Sequence, residues 1–162
     1  MITKELLNYY YEYKDGNLFF KNLSKGNTSA KIGDKAGHTT KQKYVLIKVE
    51  GKGYLLHRVI YCMHYGYFPK QVDHIDGNPE NNKIENLRAV TGSQNCMNKK
   101  ISIRNTSGFK NVHWHESMNK WRVQIKTNGI TKTFGCYEDI ELADLVAHEV
   151  RDKYFGRYAR HN

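Results

Sequence analysis

Turn dipeptides cut this chain into short pieces. Asp15-Gly16, Glu50-Gly51, Asp76-Gly77 and Asn128-Gly129 all carry the small or polar residues that tight reversals demand, because such turns need a positive backbone φ. The pieces between them carry strand patterns over residues 9–13, 18–21, 43–49 and 53–56. A helix is predicted over residues 55–65, where Leu56, Val59, Ile60 and Met63 recur at spacings of three and four; Gly66 closes it and Pro69 follows. A strand over 72–75, a polar loop over 76–86, a strand over 87–90 and a helix from Thr91 or Ser93 to about Lys99 come next. Residues 101–106 are polar, without a core pattern, and read as a linker. Three strands follow over 109–114, 120–126 and 131–136, and then a helix that Glu138-Asp139 opens and Gly156 stops. Its apolar face is Ala143, Val146, Ala147, Val150 and Tyr154.

Charge narrows the partner. The chain has 162 residues, one ordinary domain or two small ones, with 26 Lys and Arg against 16 Asp and Glu, a formal net charge of +10. Such an excess favours polyanions, since neutralised phosphates release condensed counterions. No basic amphipathic helix with a bulky apolar face stands out, so nucleic acid leads over an anionic membrane. No apolar run approaches a membrane span, and the start, Met1 to Leu7, lacks the apolar core of a signal peptide. Cys62, Cys96 and Cys136 are too widely spaced for a structural zinc site and odd in number for a disulfide framework. They read as reduced thiols in a cytoplasmic protein, and no protein partner is evident.

The chemically capable residues cluster in Val72-Asp73-His74-Ile75-Asp76-Gly77-Asn78, continuing through Asn81, Asn82 and Glu85-Asn86-Leu87 to Gln94-Asn95. Neighbouring strand residues point to opposite faces, so Asp73 and His74 are given separate jobs. Asp73 and Asn95 are hard oxygen ligands suited to magnesium or manganese, whereas His74 is left to accept a proton from water near neutral pH. A lone Asp-His pair is usually a turn or cap; the complete ordered string favours catalysis. Asn81 and Asn82 read as loop formers, and Asp76 as a turn residue. His57 and His64 lie two helical turns apart, too far to share an ion, and read as core or surface histidines. Arg58 and Arg88 read as phosphate contacts or surface salt bridges.

The run from Leu56 to Asn95, "LHRVIYCMHYGYFPKQVDHIDGNPENNKIENLRAVTGSQN", resembles the ββα-metal core of phage-type HNH homing endonucleases. The resemblance implies that His74 is the general base, that Asp73 and Asn95 hold one Mg2+ or Mn2+ per active site, and that Asn86 ties the hairpin loop together. The last family position is Asn95 where many members have His, which favours magnesium or manganese over zinc. One site per chain, in a monomer or weak dimer, implies nicking of one strand, a double-strand break needing a dimer or two events.

The C-terminal strands carry Lys110, Lys120, Arg122, Lys126 and Lys132 against Glu116 alone, while the following helix is acidic. Trp121, Val123 and Ile125 alternate with Arg122, Gln124 and Lys126, so the second set projects away from the helix. Arg and Gln read base edges bidentately in a major groove. Trp114 and Trp121 share the phase of Val112 and Val123 and read as core anchors. The motifs Ser107 to Trp114, Lys120 to Ile125, Phe134-Gly135 and Phe155 to Asn162 resemble the ethylene-response-factor type (APETALA-type) of plant DNA-binding domain, also found appended to HNH homing endonucleases. That resemblance implies that Lys110, His113, His115, Arg122, Gln124, Lys126, Thr131 and Thr133 meet double-stranded DNA.

The expected architecture is α+β: residues 1–100 a strand-rich lead with a nuclease core over 56–99, a linker over 101–106, and over 107–162 a three-stranded antiparallel sheet packed on one helix. The expected function is metal-dependent, homing-type DNA endonuclease activity. The rival is a non-catalytic, sequence-specific DNA-binding regulator that keeps the core as scaffold.

Overall fold

The helix expected over 55–65 forms over Leu56–Tyr65 and organises the N-terminal part of the computed structural model. The structure describes residues 2–25 and 29–161. Met1, residues 26–28 of the polar stretch, and Asn162 of the closing motif lie outside the described residues. Contacts divide the chain into two units, Met1–Thr91 and Gly92–Asn162.

In the first unit, α1 (Lys4–Tyr10) precedes β1 (Tyr11–Lys14) and β2 (Asn17–Phe20). The expectation of a strand from residue 9 fails at its start. The Tyr9-Tyr10-Tyr11 run has strand propensity, but Thr3 caps a helix by accepting the Leu6 N–H and Leu7 is fully buried from it. β3 (His38–Thr39), β4 (Val45–Val49) and β5 (Lys52–Leu55) form an antiparallel sheet in that order. Next comes α2 (Leu56–Tyr65), ended by Gly66 at φ 79°, whose N–H donates to the Cys62 carbonyl. Leu56, Val59, Ile60, Cys62 and Met63 of α2 pack with Leu7, Tyr11, Leu18, Ile47, Val49, Val72 and Leu87 in one core. β6 (Gln71–His74) and β7 (Leu87–Val90) pair antiparallel, with Asp73 opposite Arg88 and His74 opposite Leu87.

The second unit holds α3 (Gly92–Met97), β8 (Val112–His115), β9 (Lys120–Thr127), β10 (Ile130–Tyr137) and α4 (Ile140–Phe155). The sheet is antiparallel in the order β10-β9-β8. Val112, Val123, Ala143 and Ala147 form one core cluster, and Ile125, Val150 and Phe155 another. Asp139 caps α4 by accepting the Glu141 N–H at 2.7 Å. A bulge between Thr133 and Cys136 resets the register, with Gly135 at φ 126°. α3, assigned from sequence to the N-terminal domain, groups with the second unit because Met97 packs against Ile125, Val150 and Phe155. The whole is the α+β arrangement expected, and among the described residues no helix is long and apolar enough to cross a membrane.

The β1–β2 turn supports the loop between β6 and β7. Asp15 and Gly16 adopt φ 46° and 80°, and a Cβ on Gly16 would meet Lys83 N at 3.0 Å and Asn82 C at 3.1 Å. Lys83 pairs with Asp15 at 2.9 Å, and Ile84 N donates to the Tyr13 hydroxyl at 3.1 Å. Gly16→Ala therefore strains the backbone and pushes on the loop at once. Chemical denaturation is expected to show a loss of about 1–3 kcal/mol, and an unchanged midpoint would refute the contact.

Candidate active site

The β6–β7 hairpin ends in a long polar loop, and non-repeating backbone of this kind must find side-chain partners for its N–H and C=O groups. Asp76 and Asn86 supply several of them, and Asn78, Asn82 and Tyr13 supply others. The Asp76 carboxylate accepts from Asn78 N at 2.8 Å, Asn81 Nδ2 at 2.7 Å and Asn86 Nδ2 at 2.9 Å. Asn86 in turn accepts from Asp76 N at 3.0 Å and donates to Asn81 O at 2.8 Å. Burial works against the Asp76 charge, but these donors and the nearby His74 charge outweigh it and hold the carboxyl below its ordinary value. Asp76, read from sequence as a turn residue, is thus the centre of the loop.

Asp73 and His74 both lie buried at the end of β6, at 8% and 5% exposure. Asp73 Oδ2 accepts from Arg88 Nε at 3.1 Å and from the terminal nitrogen of the same guanidinium at 2.9 Å. Arg88 is therefore a largely buried partner of Asp73, the salt-bridge alternative of the sequence reading, though not at the surface. His74 Nε2 lies 3.2 Å from Asn82 Oδ1, and the His57 ring meets the His74 ring edge-on at 4.8 Å. Burial, with the His74 and Arg58 charges beside it, pushes His57 down to about 3, so this ring stays neutral at ordinary pH. His64, by contrast, turns its Nδ1 to the Ile60 carbonyl at 2.8 Å. Asn82, read from sequence as a loop former, and His57, read as a core or surface histidine, both reach His74. Their positions in the sequence mark one as a loop amide and the other as a helix residue, and only the tertiary contact distinguishes them.

A metal there would find hard donors. The Asp73 carboxylate is held by Arg88, and no group of three or more His, Cys, Asp or Glu converges as a metal cluster among the described residues. One carboxylate with amide oxygens suits magnesium or manganese, which keep several waters. Asn95 lies on α3, in the second unit. Arg58 donates to Pro69 O at 2.9 Å and stacks over Phe68, its carbon 4.4 Å from the ring centre, so it secures the end of the α2 turn.

In the second unit the outward face of the sheet carries His113 opposite Arg122, Gln124 opposite Thr133, and Lys126 opposite Thr131. Gln124 Nε2 donates to Thr133 Oγ1 at 3.2 Å, and His115 Nδ1 lies 3.2 Å from Ser117 Oγ. Three of the five basic residues counted along these strands are otherwise engaged. Lys132 sits on the helix side over the Tyr154 ring, and Lys120 pairs with Glu138 at 3.2 Å. Lys110, expected on the DNA face, instead turns inward, its ammonium donating to the carbonyls of Met97 at 3.0 Å, Lys99 at 2.7 Å and Arg160 at 3.0 Å. Burial, with Arg151 and Arg160 close by, pushes Lys110 down to about 8. Trp121 packs on the core as expected, whereas Trp114 is 44% exposed, held edge-on to Trp121 at the margin of the sheet.

A family model described as HNH endonuclease matches residues 54–97. Over 95 residues the chain is 33% identical to Protein 3.8 of Escherichia phage T7, spanning 59% of this chain and 75% of that protein. Over 110 residues it is 34% identical to a protein named "Uncharacterized HNH endonuclease L560" from Acanthamoeba polyphaga mimivirus, spanning 66% of this chain and 56% of that one. No solved structure matches.

The family match ends at Met97, so Lys110 is judged by its contacts. Lys110→Met removes three charge-assisted hydrogen bonds and should lower the unfolding free energy by about 2 kcal/mol, while the salt dependence of DNA binding stays unchanged. A shallower salt slope at unchanged stability would restore Lys110 as a phosphate contact.

Proposed function

The chain belongs to the HNH endonuclease family, and from that premise we propose that it is a metal-dependent DNA endonuclease of the homing type, with His74 as general base. The observation that carries this reading is the end of β6, where the Asp73 carboxylate is held by Arg88 and the His74 imidazole by Asn82. Neither arrangement is needed for a scaffold, since buried polar groups cost free energy that apolar residues avoid.

In this mechanism His74 takes the proton from the water that attacks phosphorus, and the buried surroundings keep its ring in one orientation. Arg88 orients the Asp73 carboxylate. Asp73 would be one ligand of a single divalent cation, magnesium or manganese, and Asn95 would be another on the strength of its place in the motif alone. When bound, such an ion polarises the phosphate and stabilises charge on the leaving oxygen. One site per chain makes a monomer a nicking enzyme.

The second unit is proposed as the targeting module, of the ethylene-response-factor-like kind. Support comes from the three-stranded sheet packed on α4 and from the outward row of Arg122, Gln124, Lys126, Thr131 and Thr133, with His113 and His115 beside it.

His74→Ala should reduce cleavage of supercoiled DNA in magnesium by about 100-fold or more while binding persists; equal loss of both would sink the general-base assignment. A chelator should stop nicking, and added magnesium or manganese should restore it. Wild-type protein that binds DNA specifically and cleaves none under any divalent ion would favour the non-catalytic regulator. Replacing Arg122 and Gln124 together should relax or move the cut site, and an unchanged site would remove the sheet as reader.

A further inference from the structure

The loop amide Asn82 is 5% exposed, and both ends of its side chain are engaged. Nδ2 donates to the Glu80 carbonyl at 3.2 Å and to the Pro79 carbonyl at 3.4 Å. Turning the amide over would set its oxygen against two carbonyl oxygens, so the network fixes which end is which. The end that faces His74 Nε2, at 3.2 Å, is therefore Oδ1, an acceptor only. A neutral imidazole carries its proton on one nitrogen and a lone pair on the other.

We propose that Asn82 is a positioning residue that sets the His74 tautomer: Oδ1 accepts the proton of Nε2, which leaves the proton-accepting lone pair on Nδ1. The proposal rests on the reading of His74 as general base and specifies which of its two nitrogens does the work. Three features keep Asn82 in place. Its loop is closed by the Asp76 carboxylate and the Asn86 amide. The β1–β2 turn packs on its backbone at Gly16. The neutral His57 ring abuts His74 at 4.8 Å and limits rotation of the imidazole. With Nε2 committed to Asn82, the attacking water is served from the Nδ1 edge, and no proton relay through Asn82 is required.

The test is nitrogen-15 NMR of histidine-labelled full-length protein at a pH where the imidazole is neutral, with the His74 signals assigned against His74→Ala. Wild type should show a protonated-type shift at Nε2 and an unprotonated-type shift at Nδ1. A proton on Nδ1 overturns the proposal without any variant having to fold. In Asn82→Ala the two tautomers should mix, and kcat should fall by about 10- to 100-fold at nearly constant KM. An Asn82→Ala protein with wild-type tautomer or wild-type kcat overturns the role. Full cleavage by His74→Ala would instead overturn the general-base reading, and the tautomer measurement tells the two failures apart.

Discussion

A single carboxylate holds the loop on which the candidate site depends. Between β6 and β7 the chain has no repeating backbone ladder, and Asp76 replaces it by gathering donors from Asn78, Asn81 and Asn86. Asn86 answers from the far end of the loop by accepting the Asp76 N–H, so the two strands are clamped where His74 emerges. Asp76 is exposed, so each of these bonds adds a modest free energy; the clamp holds by their number, and it keeps the loop beside the buried imidazole in one shape.

The rest of the first unit extends this clamp outward. The β1–β2 hairpin presses its Asp15-Gly16 turn on residues Asn82 and Lys83 and lends the Tyr13 hydroxyl to Ile84. From the opposite direction α2 brings His57 against His74. Burial holds His57 uncharged, so α2 sets a neutral ring against His74. The strand-rich lead and α2 are thus supports of the site as much as a core of their own.

Legibility from sequence tracked how local the deciding interaction was. α2 was readable because its apolar period and Gly66 are both local, and the Asp73-His74 string because its order is unusual. α1 was missed because three consecutive tyrosines have strand propensity, while the Thr3 cap and the burial of Leu7 favour helix. Asn81, Asn82 and Asn86 are chemically identical letters within six positions, yet one serves the Asp76 carboxylate, one the His74 imidazole and one the loop closure. No pattern in sequence separates them, since each role is decided by a residue that only folding brings near. Lys110, which the resemblance to the plant domain implied would meet DNA, carries its charge on a long flexible stem that returns it to backbone carbonyls.

The same correction changes what the sheet of the second unit offers a polyanion. With Lys110 turned inward, Lys132 on the helix side and Lys120 paired to Glu138, Arg122 and Lys126 remain as the outward cations of the strands. Each phosphate neutralised adds roughly one unit to the salt slope of binding, so a face with few cations draws little affinity from charge alone. Discrimination there would have to come from hydrogen-bonding side chains held in set directions. Gln124, steadied by Thr133 across the strand pair, is such a group, and its neighbour Arg122 shares the same outward row. The linear tally of charge thus overstates attraction and understates orientation.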